Sequence, residues 1–108
     1  MTPQLPAPVQ RFIDAVNAGD TDAFLDGFSG GGLVEDWGRV AVGREQIRLW
    51  SDREFVGAKG TITPTAVQAG PGEVTMDGDW SSNHFHGSSR FVFNYDDVGV
   101  TAMRITAD

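Results

Sequence analysis

Val9-Gln10-Arg11-Phe12-Ile13-Asp14-Ala15-Val16-Asn17-Ala18-Gly19-Asp20 is the stretch on which the fold turns. Val9, Phe12, Ile13 and Val16 recur at i, i+3, i+4 and i+7, the period of a helix with one apolar face. Pro6 and Pro8 suit its first turn, where a missing N–H leaves no bond unmade. Asn17-Ala18-Gly19 stops it. Asp20 or Thr21 caps a second, short helix with Ala23, Phe24 and Phe28 on its apolar side. Gly30-Gly31-Gly32 is expected to end that helix.

Beyond the glycines the period changes. Leu33 to Trp37 and Arg39 to Val42 read as short strands on either side of Gly38. A third helix begins near Gly43 and turns Ile47 and Trp50 inward. The rest of the chain is strand. Thr61-Ile62-Thr63 and Thr65-Ala66-Val67 flank Pro64, a residue of edges and bulges. Gly70-Pro71-Gly72 is a turn. From Glu73 to Trp80, Val74, Met76, Gly78 and Trp80 share one face. Ser81-Ser82-Asn83 is a turn candidate. From Phe85 to Tyr95, Ser89, Phe91, Phe93 and Tyr95 share a face, and Asp96-Asp97-Val98-Gly99 turns the chain into a last strand, Val100 to Thr106. Helices first and strands last predict an α+β domain. Its expected form is a cone-shaped, curved antiparallel sheet wrapped around a long N-terminal helix plus two shorter helices, with Gly78 and Gly87 letting strands bend.

The 108 residues fit one domain, 1–108. Without cysteine there are neither disulfides nor thiolate metal sites. With no leader recognisable either, the expected setting is cytoplasmic. Apolar runs are too short to span a bilayer, so no membrane partner is expected. The net charge of -7 repels phosphate backbones, and Arg44, Arg48 and Arg53 alternate with Glu45, Asp52 and Glu54 rather than forming a basic stripe. Nucleic acid is therefore not an expected partner. No G-x-S-x-G elbow, Walker loop or dinucleotide fingerprint occurs, and no cofactor or metal is expected.

Several residues could carry chemistry. Asp36, next to Trp37 and an apolar wall, would be desolvated, which raises a carboxyl pKa and suits a general base. The alternative is an Asp bonded to turn amides or paired with Arg39. His84 and His86 stand at i, i+2 and would share a strand face, with Asp77 or Asp79 near enough to complete a metal site. That spacing is unspecific, and exposed histidines are the simpler reading. His86 could shuttle protons if a bulge turned it inward. Trp37, Trp50 and Trp80, with Phe12, Phe24, Phe91, Phe93 and Met103, either line an apolar pocket or fill the core. Trp80, or Val92 with Met103, could alternatively face a dimer partner.

The first-helix segment with its Asn17-Ala18-Gly19-Asp20 exit, the passage Val34-Glu35-Asp36 to Gly43 and Ile47, and the closing Phe91-Val92-Phe93-Asn94 with Met103-Arg104 come in a familiar order. Together they resemble the nuclear-transport-factor-two-like superfamily, which includes ketosteroid isomerases and SnoaL-like polyketide cyclases. The resemblance covers nearly the whole chain. It implies a ligand pocket, a homodimer, and Asp36 at the position of the isomerases' general base. It also places Trp50 where isomerases keep a pocket Phe. The oxyanion Tyr and protonated Asp of the isomerases fall on Phe12 and Ser89, and a further Tyr falls on Ser51. Donors aimed at developing charge are usually the larger catalytic contribution, so their loss argues against steroid isomerisation.

Two functions follow from this. One is a cofactor-independent isomerase or cyclase acting on a small apolar carbonyl compound, with Asp36 as base and Ser89, Ser51, His86 or water steadying the enolate. The other is a non-catalytic ligand-binding or dimerisation module that keeps the cavity. An epoxide hydrolase would need an Asp-Arg-Asp constellation, which Asp36 and Arg39 do not supply at a recognisable spacing.

Overall fold

The computed structural model describes residues 5–30 and 32–107. Gly31, the middle of the glycine run, lies outside the described residues. Helix α1 spans Ala7–Asn17, with Pro8 in its first turn and Val9, Phe12, Ile13, Ala15 and Val16 buried. Asn17 fastens its end to the sheet: the side-chain amide donates to Ile62 O at 2.9 Å and accepts from Ile62 N at 2.7 Å. Asp20 caps α2 (Thr21–Asp26), accepting from Ala23 N at 3.0 Å. That helix ends earlier than expected, at Gly27 rather than at the glycine run. The reason is tertiary: Gly27 O accepts from Val100 N at 2.8 Å, and Phe28 bridges to Val100. The final strand captures the chain before the glycines are reached.

The strands are β1 (Leu33–Asp36), β2 (Arg39–Val42), β3 (Thr61–Gly70), β4 (Glu73–Ser81), β5 (His86–Tyr95) and β6 (Val100–Thr106). Helix α3 (Arg44–Glu54) joins β2 to β3 and, at 11 residues, is as long as α1. The fold is α+β, with one six-stranded sheet in the order β2-β1-β6-β5-β4-β3. Neighbours are antiparallel except β1 and β6, which run parallel with Val34 opposite Met103 and Asp36 opposite Ile105. β3 is one edge strand whose register shifts between Pro64 and Ala66, the place an imino acid is tolerated.

Alternation sorts the strand residues. Val74, Met76, Trp80, Phe91, Phe93, Met103 and Ile105 face the helices and are buried. Phe12, Phe93 and Met103 are completely inaccessible, packed between α1 and the sheet, so they fill the core rather than line a pocket. Met103 equally cannot face a dimer partner. The opposite sheet face is polar: Arg90 grips Asp77 at 2.8 and 3.2 Å, and Arg104 donates to Asn94 at 2.8 Å. Among the described residues no helix is long and apolar enough to cross a membrane.

Candidate functional site

The site begins at a strained turn. Trp37 (φ 51°) and Gly38 (φ 87°) connect β1 to β2, and both central residues have positive φ, as a type I′ hairpin demands. Asn-Gly is the usual choice there. A side chain as large as Trp in the left-handed region costs about 1–2 kcal/mol. The indole is 61% exposed, so burial does not repay that strain.

The same turn sets Asp36 directly across from Arg39. Arg39 Nη2 donates to Asp36 Oδ2 at 3.0 Å. Helix α3 contributes Trp50 and Glu54, one turn apart on one face. Trp50 Nε1 donates to the same Asp36 oxygen at 3.0 Å, and Arg39 Nη1 donates to Glu54 Oε1 at 2.8 Å. The hydrogen bond that Arg39 donates to Glu54 and the charges of Glu54 and Asp36 raise the Arg39 pKa further above its already high ordinary value. Asp36 is therefore both paired with Arg39 and set against an indole. Its side chain is only 14% exposed, and no hydrogen bond reaches its Oδ1 among the described residues.

Aromatic rings form the wall beside this network. Phe55 is stacked between Trp50 (centroids 4.8 Å, 27°) and Trp80 (4.6 Å, 9°). The Trp80 ring tip sits where a side chain on Gly60 would otherwise be. Phe91 and Ser89 come up from β5 on its inward face. These groups enclose a cavity of about 220 Å³, with Trp37 and the exposed Phe85 also on its lining. Ser89 is 3% exposed. Its hydroxyl has no hydrogen-bond partner among the described residues, yet no buried side-chain polar atom is left sealed without one. The Ser89 hydroxyl therefore opens onto the cavity.

Asp36, Trp37, Trp50, Trp80, Ser89 and Phe91 thus come together as cavity-lining residues. His86 does not. It opens β5 on the outer face with Ser88 and Arg90, and the β4–β5 register runs unbroken from Ser81–His86 to Glu73–Asn94. Without a bulge nothing turns His86 inward. His84, in the turn before the strand, lines the cavity instead, its Nε2–H donating to Arg53 O at 3.2 Å. Ser51 is buried and its hydroxyl accepts from Val56 N at 3.2 Å, closing the end of α3 rather than facing the cavity. Among the described residues no cluster of three His, Asp or Glu could hold a metal ion. Glu54, Phe55, His84 and Phe85 complete the site. Of these, His84 is already a candidate in the sequence, and Glu54 and Phe55 follow the helical spacing of Ile47, Trp50 and Ser51; Phe85 carries no such signal.

No protein-family model matches the chain, and no curated protein matches it. Solved structures do. A provisionally named polyketide cyclase from Sinorhizobium meliloti is 22% identical, with a TM-score of 0.84 over 94% of this chain and 95% of that one. A hypothetical protein of ketosteroid isomerase-like fold from Catenulispora acidiphila, solved in complex with trimethylamine, is 18% identical, with a TM-score of 0.78 over 97% and 88%. A computationally designed 17-OHP binder is 15% identical, with a TM-score of 0.81 over 94% and 88%. The chain has the nuclear-transport-factor-two-like, cystatin-type α+β fold that the sequence resemblance implied.

Proposed function

We propose that this domain binds one small organic molecule in the cavity beside Asp36. The observation that carries the reading is a cavity of about 220 Å³ walled by aromatic rings and lined by Asp36 and Ser89, whose Oδ1 and hydroxyl have no hydrogen-bond partner among the described residues. A pocket with apolar walls and a few convergent polar groups is the usual form of a ligand site. An empty apolar cavity of roughly 150 Å³ accepts benzene. This one therefore suits a single ring with a short substituent, and four fused rings would protrude past Trp37 and Phe85. The fold hosts small guests in other proteins, trimethylamine in the Catenulispora structure and 17-OHP in the designed binder.

A second reading makes the same cavity catalytic, as a cofactor-independent isomerase or cyclase. The free Oδ1 of Asp36 would take a proton from the carbon next to a carbonyl. The electron pair would pass to the carbonyl oxygen, where the Ser89 hydroxyl donates, and the proton would return at the new position. One neutral donor is a weak oxyanion hole beside two or more, which ranks binding ahead of turnover.

One experiment separates the readings. Monocyclic alcohols, phenols and enones are titrated while the three indole N–H signals are followed by NMR, and the enones are then assayed for deuterium uptake in D2O. Shifts without exchange support binding alone. Exchange that Asp36→Asn abolishes establishes the base. Indole signals that never move with any compound at millimolar concentration remove the cavity reading.

A further inference from the structure

We infer that the guest is a small organic cation, a protonated amine carried on a single ring or a compact hydrocarbon. The inference rests on the cavity being a ligand site and names the class of ligand. Charge is the first reason. Asp36 and Glu54 line the cavity with one guanidinium, Arg39, between them. Two carboxylates against one cation leave one negative charge uncompensated, on a chain whose net charge is already -7. Such a field raises the local concentration of cations and repels carboxylate or phosphate guests.

Hydrogen-bonding capacity is the second. The Trp50 indole N–H and two Arg39 nitrogens are already engaged by the carboxylates, and Arg39 is otherwise mostly in solvent. Among the described lining residues the carboxylates keep two unengaged acceptors, Asp36 Oδ1 and the second Glu54 oxygen; the unengaged donors are the Ser89 hydroxyl and the remaining Arg39 N–H groups, the latter on a side chain 62% exposed to solvent. A ketone brings only an acceptor and leaves Asp36 Oδ1 unmatched. An ammonium brings up to three donors and a charge, and charge-assisted bonds are the stronger ones.

The walls are the third. Trp37, Trp50, Trp80, Phe85 and Phe91 surround the space. Aromatic faces attract a cation held within about 6 Å of the ring, Trp most strongly. Acid at one side and rings around the rest is a combination that a neutral hydrocarbon would not need.

Benzylamine, benzyl alcohol and benzoate test this, since they share one ring and differ in charge. Each is titrated into the full chain at neutral pH and low salt, with the indole N–H signals as reporters. Benzylamine should bind about ten-fold or more tightly than benzyl alcohol, benzoate should not bind, and added salt should shrink the amine's advantage. Asp36→Asn and Glu54→Gln should each bring the amine-to-alcohol ratio close to one. If one variant fails to fold, the other still reads the ratio. Equal binding of amine and alcohol, tighter binding of alcohol or benzoate, or an unchanged ratio in both variants overturns the inference and leaves the ligand site standing. Failure of all three compounds to move any indole signal overturns both.

Discussion

Two groups of aromatic rings lie against the inner side of the same sheet and pack in different ways. Under α1 and α2, Phe12 meets Phe24, Phe28 and Phe93 at centroid distances of 5.0, 5.1 and 5.7 Å, two of the three edge to face. Under α3, Trp50, Phe55 and Trp80 lie nearly parallel. A tilted contact, Phe24 to Phe55 at 5.6 Å, joins the groups. Both arrangements satisfy the ring quadrupole when suitably offset. Their consequences for space differ. Rings set edge into face interlock in several directions and leave no room. A parallel stack is a slab, and here its flat side borders the cavity. The closed end is packed solid, and the slab end borders the cavity.

The largest test of that division is Phe12→Ala. Removing the ring at the centre of the closed cluster should cost about 3–5 kcal/mol, read as loss of the denaturant midpoint; a loss below about 1 kcal/mol would show that this end is not packed solid. Next is Gly60→Ala. The new Cβ would fall inside the Trp80 ring, so the indole must move into the cavity. The cost should be about 1–3 kcal/mol of overpacking, together with loss of ligand-induced indole shifts. Retained shifts would mean that Trp80 does not set the wall.

Trp37→Asn should act in the opposite sense. Asn suits the left-handed turn position that Trp occupies under strain. Stability should rise by up to about 1 kcal/mol while guest affinity falls, seen as a higher melting temperature with a weaker titration. A lower melting temperature would show that the exposed indole does contribute to the fold. The smallest effect belongs to the closed end and to acid pH. Asp96 accepts from Gly99 N, Val98 N and the Ser29 hydroxyl, and these bonds lower its pKa from the ordinary 3.8. A depressed folded value means the stabilisation is present above about 3.8 and is lost as pH falls through the folded value. Asp96→Asn should therefore flatten the acid limb of the stability curve slightly; an unchanged limb would remove Asp96 from it.

Much of this was legible in single residues. The heptad-like spacing of Val9, Phe12, Ile13 and Val16 marks the buried face of α1, and alternation marks Val74, Met76 and Trp80, and Ser89, Phe91 and Phe93, as inward. The pairing of Asp36 with Arg39 was one of two alternatives open to the sequence; the strand ends at Asp36 rather than Trp37, and the resulting two-residue turn sets the two side by side. The same alternation could not separate Phe91, at the cavity, from Phe93, in the core. They share a face, and only their distance along a curved sheet distinguishes them. Strand parity placed His86 on the outer face, but it could not place His84, which lies in the turn before the strand and reaches the cavity.

The amino-acid order by itself determined which elements form and which side of each is apolar, because those properties depend on neighbours a few positions away. The tertiary structure alone decided the parallel docking of β1 on β6, the early end of α2, and the meeting of Asp36, Arg39, Trp50 and Glu54. Those outcomes depend on how far a bent sheet holds its layers apart, a distance set by all the packed side chains together and written in no local stretch of them.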